Sequence, residues 1–219
     1  MLIQNVPPPP PTNIPHNALA GPVLPQIPIF EWNGLAILGE APGRQEAISG
    51  VPFSGPAGEL LDTLLSRVDI ERHETLVLNP FLYQPVWTPL DNGTRRNNDI
   101  SNFFTKDAAE GNTKIHDGAL FRSAYAKNSN AHDLRYCWTV LNHVKPRAIL
   151  ALGATALWFL TGHDKISEHR GNVLKTPMLD DAPVIPSYHP AYALYRNADQ
   201  EILNTIIADI ALVKPFLAQ

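Results

Sequence analysis

Four apolar runs of this chain are each followed directly by residues able to do chemistry. After "LAIL" comes "GEAPG" (39–43), which sets a carboxylate, Glu40, in a loop of Gly and Pro; the same connection adds Phe53 in "GVPFSG" (50–55). Asn79 ends the run "TLVLN", "GATA" (153–156) opens a helical stretch, and "SYHPAYAL" (187–194) carries His189 ahead of a proline. A side-chain amide both donates and accepts hydrogen bonds. The free N–H groups of a helix start suit a phosphate, and a Gly/Pro loop lets backbone and Glu40 come close to a ligand. Singly, each stretch also has an ordinary use: a turn after a strand, a capping or turning Asn79, a satisfied surface His189, a core Phe53.

The elements that would position these residues read as an alternation. Strand-like runs are "LAIL" (35–38), "TLVLN" (75–79), "RAILAL" (147–152) and "APVIPSY" (182–188). One helical stripe runs through Leu60, Leu61, Leu64, Leu65 and Val68, with Pro56 suited to its first turn. Others run through Leu134, Cys137, Trp138, Leu141 and Val144, over Ala154 to Leu160, and through Ile202, Ile206, Ile210 and Val213. Strands alternating with helices imply a parallel sheet covered on both faces. The expected fold class is therefore α/β, a three-layer α/β/α sandwich around a central, mostly parallel four-stranded sheet. Ligands of such sheets gather outside the carboxyl ends of the strands. That brings Glu40, Phe53, Asn79, the "GATA" start with Thr155, and His189 to one rim.

The 219 residues suffice for one large domain with a substantial core. A net charge of -4 excludes a uniformly basic nucleic-acid binder but leaves room for a local basic cleft. One cysteine, Cys137, excludes an internal disulfide and a cysteine-ligated cluster held by this chain alone. No apolar run reaches the roughly 18 to 20 residues of a membrane span. The start, "MLIQNVPPPPPTNIPHN", lacks the basic and apolar regions of a signal peptide. The reading is a cytoplasmic protein without a membrane partner. Residues 1–33 hold nine of the 21 prolines and one charged residue, Glu31. They read as a proline-rich arm, with polyproline II over Pro7 to Pro11, either disordered, lying along the surface, or docking to another protein. Residues 34–219 form the domain proper. Its irregular insertion at about 88–132 is either a functional excursion or disorder.

Taken in order, "GEAPG…E…G-PF-G-AG-LLD-LL", an apolar strand ending in Asn, "P-AILALGATA…RG" and "P-YHPAY-L" resemble the uracil-DNA glycosylase superfamily, most of all its family-four branch. The likeness spans about residues 34–213. It implies a monofunctional DNA glycosylase that rotates a nucleotide out of the duplex, reads its base in a pocket and hydrolyses the N-glycosidic bond, leaving an abasic site. By this likeness Phe53 stacks on the base, Asn79 hydrogen-bonds its Watson–Crick edge, and His189 stabilises charge developing on the pyrimidine O2. Glu40 orients the motif loop or the water, Glu46 is a second carboxylate of the motif, and Gly39, Ala41 and Gly43 border the base. Tyr192, Ala193 and Leu194 resemble the wedge that fills the gap left by the base. Thr155 and Arg170 match backbone-contacting elements. Arg95, Arg96, Lys106 and Arg196 are further candidates for the DNA path. No lysine occupies a matched position where a Schiff base could form, hence the monofunctional expectation.

Departures from the family pattern sharpen the expectation. Ala41 stands where family one places a water-positioning aspartate. Family-four enzymes usually carry four cysteines on an iron–sulfur cluster; with Cys137 alone, off the family's spacing, no cofactor and no metal are expected. Packing by Trp87, Phe103, Phe104 and Tyr136 is expected to organise that flank instead. Gly43, Ala47 and Ser54 are small, leaving room beside C5 of a bound pyrimidine. Two substrates therefore stand open: uracil, and a hydroxymethylated or glucosylated pyrimidine of the kind that would make the protein an antiphage factor. A non-catalytic reader of a flipped base is the alternative of another class, against which the Asn79–His189 pair argues. DNA is the expected partner, and the protein is expected to be a monomer.

Overall fold

Alternating side chains on short, wholly buried strands build the centre of the molecule. The computed structural model describes residues 2–9, 14–87, 99–112 and 118–217. Arg95 and Arg96 lie outside the described residues. In chain order the elements are β1 (Ala18–Ala20), β2 (Leu35–Leu38), α1 (Arg44–Ser49), α2 (Pro56–Ser66), β3 (Leu76–Leu78), β4 (Gln84–Pro85), β5 (Phe104–Thr105), β6 (Tyr125–Ala126), α3 (Ala131–Val144), β7 (Ala148–Leu152), α4 (Ala154–Thr161), α5 (Ile166–His169), β8 (Leu174–Thr176), β9 (Ala182–Ser187), α6 (Pro190–Tyr195) and α7 (Gln200–Ala211).

The main sheet runs β3-β2-β7-β9-β8. The strands β3, β2, β7 and β9 are parallel, and they are the four expected. The sheet nevertheless has five strands, because β8 pairs antiparallel with β9 at the edge. Its three residues, with Lys175 exposed at the centre, are too short and too polar to show a strand period. Period two assigns the layers. Ala36 and Leu38 pack with Leu134, Leu141 and Phe159 of α3 and α4, whereas Leu35 and Ile37 pack with Leu61, Leu65, Ile206 and Ile210 of α2 and α7. The result is the α/β/α sandwich.

The described residues of the proline-rich arm lie along the domain, while Pro10 and Pro11 of the polyproline II stretch lie outside the described residues. β1 pairs with β4, and Gln26 forms an antiparallel bridge with Val77, covering the free edge of β3. The Tyr136 hydroxyl donates to the Pro7 carbonyl at 3.2 Å, and Val23 is buried. The described parts of the insertion also enter the core. Phe103, Phe104 and Phe121 join Phe81 and Trp158 in one aromatic cluster, with centroids 4.6 to 5.9 Å apart.

The family-four likeness implies an iron–sulfur cluster on this flank, and the residues present do not fit one. Cys137 is the sole thiol and is buried on α3, where burial and nearby Asp133 hold its pKa well above the ordinary range, disfavouring the thiolate a metal needs. Among the described residues no group of three or more His, Cys, Asp or Glu gathers to hold a metal ion. Three asparagines, Asn17 and Asn130 buried and Asn102 half-buried, tie the flank together. Asn17 of the arm donates from Nδ2 to Asn130 Oδ1 at 2.8 Å and to the Asn102 carbonyl at 3.0 Å, and Asn102 donates to the Val86 carbonyl at 2.9 Å. Phe103, Phe104 and Tyr136 are buried beside them, and Trp87 is half-buried.

Candidate active site

The site grows from the carboxyl end of β2. At Gly39 the chain has no room for a side chain: a Cβ there would meet the Asn79 amide oxygen and, at 2.7 Å, the Phe53 ring. Glycine is what lets these two side chains converge behind the loop. Asn79, just past β3, is only 6 % exposed. Phe53 is buried too, and its φ of 53° is left-handed, a conformation that costs an L residue about 1–2 kcal/mol. Its ring stacks on His189, with centroids 5.5 Å apart and planes 21° from parallel.

His189 caps α6, its Nδ1 accepting from the Ala191 N–H at 3.2 Å. Burial alone lowers its pKa from the ordinary 6.5 to about 4. Near neutrality the ring is therefore uncharged, and with Nδ1 accepting, the proton belongs on Nε2. Glu40 is tied across the rim to the start of α4: the Thr155 hydroxyl donates to Oε2 at 2.6 Å. Burial raises the Glu40 pKa, partly offset by that hydrogen bond and by the Arg122 guanidinium. Glu46 on α1 accepts at Oε1 from the Gly55 N–H at 2.9 Å, bracing the loop against the start of α2. Its other oxygen fills the space beside Gly43, 2.6 Å from where a Cβ would stand.

A cavity of about 690 Å³ opens here, walled by Ala41, Gly43, Glu46, Phe53, Asn79 and His189 among the residues singled out in the sequence. Gly39 lies behind it, and Glu40 and Thr155 pair with one another without lining it. Leu194 lines the cavity, Tyr192, two positions before it, is exposed, and Ala193 between them is fully buried, its methyl turned into the core. Arg196 is exposed and lies over the Tyr192 ring at 5.5 Å. Lys106 is exposed and does not line the cavity. The Arg170 guanidinium is engaged by buried Asp209, at 3.0 Å from Nε and 2.7 Å from Nη2, and so braces α7. Ala47 and Ser54 do not line the cavity; the Ser54 hydroxyl pairs with Ser49 at 2.7 Å.

Sequence reasoning missed Arg44, Gln45, Ile48 and Tyr195, all of which line the cavity. One left a signal: Tyr195, 80 % exposed, directly follows the matched wedge residues, whereas Ile48, 77 % exposed, sits on a six-residue helix that buries nothing. A flat ring, a buried amide and a neutral N–H donor converging on one cavity can hold a planar heterocycle and stabilise negative charge developing on it.

Comparison of the whole chain with known proteins points to one family. A family model described as the uracil DNA glycosylase superfamily matches residues 33–211. A type-4 uracil-DNA glycosylase of Thermotoga maritima is 29% identical over 185 residues, covering 84% of this chain and 77% of the relative. The type-4 enzymes of Pyrobaculum aerophilum and Archaeoglobus fulgidus are 28% and 27% identical, over 75% and 74% of this chain and 70% and 67% of their own lengths.

Proposed function

The chain belongs to the uracil DNA glycosylase superfamily and is a DNA glycosylase; from that premise we propose that it excises uracil from DNA as a monofunctional enzyme, acting as a cytoplasmic monomer. The observation that carries the reading is the joint placement of Phe53, Asn79 and His189 on one cavity. The extruded uracil stacks on Phe53, and the Asn79 amide pairs with its O4 and N3–H edge. As the C1′–N1 bond breaks, its electron pair leaves with the base and charge accumulates on O2. The Nε2–H of neutral His189 donates there, where charge develops and not where it already exists. Water adds to C1′ and gives up a proton to solvent, while the departed uracil anion takes one up at N1, completing hydrolysis. Glu40, held by Thr155, keeps the loop at the end of β2 in place. Tyr192 and Leu194 support the gap left in the strand, and Arg196 and Arg44 meet phosphates.

One observation favours a second reading, a pyrimidine carrying a bulky polar group at C5: Gly43 presents no side chain to the cavity. Of the small residues invoked for that room, Gly43 alone is at the wall, and the Glu46 carboxylate stands beside it. Alkali-labile sites in uracil-containing oligonucleotides would establish excision against mere binding, which is the outcome for a reader. Parallel glucosylated and hydroxymethylated oligonucleotides decide the second reading. If they are cut, Gly43→Tyr should abolish that activity and spare uracil; if they stay intact while uracil is released, the C5 reading is wrong.

A further inference from the structure

Arg72 lies outside the cavity, on the far side of the Phe53 turn, yet it grips that turn through two backbone carbonyls. Its Nη2 donates to the Pro52 carbonyl at 2.6 Å and its Nη1 to the Phe53 carbonyl at 2.9 Å. The guanidinium is itself held from two directions. Nη1 also meets Asp62 Oδ1 of α2 at 3.1 Å, and Nη2 meets Gln26 Oε1 of the N-terminal arm at 3.2 Å. Gln26 is in turn fixed through its backbone, exchanging hydrogen bonds with Val77 of β3 at 2.8 and 3.0 Å. The Phe53 carbonyl also rests on Gly58 of α2, where a Cβ would collide with it. The turn so gripped is the one in which Phe53 takes a left-handed φ, a conformation that persists only where surroundings over-determine it.

We propose that Arg72 is a positioning residue for the reaction: anchored by Gln26 and Asp62, it clamps the Pro52–Phe53 turn so that the Phe53 ring stays stacked on His189. The arm thereby reaches the site, since one link of the clamp belongs to residue 26. A planar fork suits two carbonyls and a carboxylate at once in a way an ammonium cannot. The consequence for catalysis rests on the glycosylase reading above; the clamp itself does not.

The test therefore has two readouts. The first needs no DNA: titration of His189 by NMR in the wild type, Phe53→Ala, Arg72→Ala, Arg72→Lys and Gln26→Ala. With the ring stacked on half-buried His189, burial holds the His189 pKa at about 4; with the clamp gone the ring moves off, more of the imidazole meets water, and the value should climb toward roughly 5 to 6.5. Arg72→Ala should match Phe53→Ala, and Arg72→Lys and Gln26→Ala should lie between them and the wild type. If Arg72→Ala does not fold, the latter two carry the comparison. An unmoved His189 in the folded Arg72 variants overturns the proposal. The second readout is single-turnover base release. Arg72→Ala should lose about 10- to 100-fold in rate with unchanged affinity for abasic product DNA, and should add almost no further loss on a Phe53→Ala background. Additive losses, or equal weakening of product binding, would also overturn it. If the wild type releases no base, the glycosylase reading falls while the titration still decides Arg72.

Discussion

His189 combines two properties that matter only together: a ring nitrogen already occupied by the Ala191 N–H, and a pKa near 4. Its free N–H is thus a fixed neutral donor. His189→Ala should slow base release by roughly 10² to 10³ with little loss of DNA affinity, as single-turnover rates and binding isotherms would show. The same shift has a stability signature. Between pH 6.5 and about 4 the unfolded chain binds a proton that folded His189 refuses, so stability should fall as pH drops through that window. Glu40 works in the other sense, its raised pKa costing stability as pH climbs from 4.5 through its folded value. Denaturation curves against pH should lose their His189 contribution between 6.5 and 4 in a His189→Gln variant; an identical acid-side slope would contradict the assigned burial. Asn79, His189 and Phe53 were legible because each follows an apolar run at a strand end or lies in its loop. Arg72 was not, because nothing in its own neighbourhood announces partners 20 and 46 positions away.

At the scale of elements, β2, β3, β7 and β9 were readable as buried apolar runs, and α2, α3, α4 and α7 as stripes or apolar stretches. β8 was hidden by its length, and β1, β4 and the arm's bridge to β3 are long-range pairings with no local period to betray them. The asparagine clasp was equally invisible, since Asn17, Asn102 and Asn130 lie up to 113 positions apart. It has a measurable weight. Asn17→Ala strips donors from the buried Asn130 oxygen and from the Asn102 carbonyl, which should cost about 1–3 kcal/mol. Urea unfolding monitored by Trp fluorescence would read it, and a change within a few tenths of a kcal/mol would mean the clasp holds nothing. On α2, Gly58→Ala should displace the Phe53 carbonyl and slow base release while leaving the helix itself intact, as circular dichroism would confirm.

For the whole molecule, a net charge of -4 requires DNA to be held by local cations. Arg44 lines the cavity and Arg196 is exposed just past α6. Replacing both with Gln should weaken binding alike for all sequences and reduce the salt slope by about 1 for each phosphate no longer neutralised; an unchanged slope would move the DNA path elsewhere. The unsuitability of Cys137 as a ligand predicts that a chelator leaves the melting temperature and base release unaltered. The claim on which the rest depends is that the Phe53–Asn79–His189 cavity cuts a glycosidic bond to uracil. The most direct measurement is mass identification of the free base after the purified protein acts on DNA containing uracil alongside the four normal bases. Free uracil, with abasic sites in equal number and no other base in solution, is the predicted result. Tight binding of the uracil-containing DNA with no base released would contradict it.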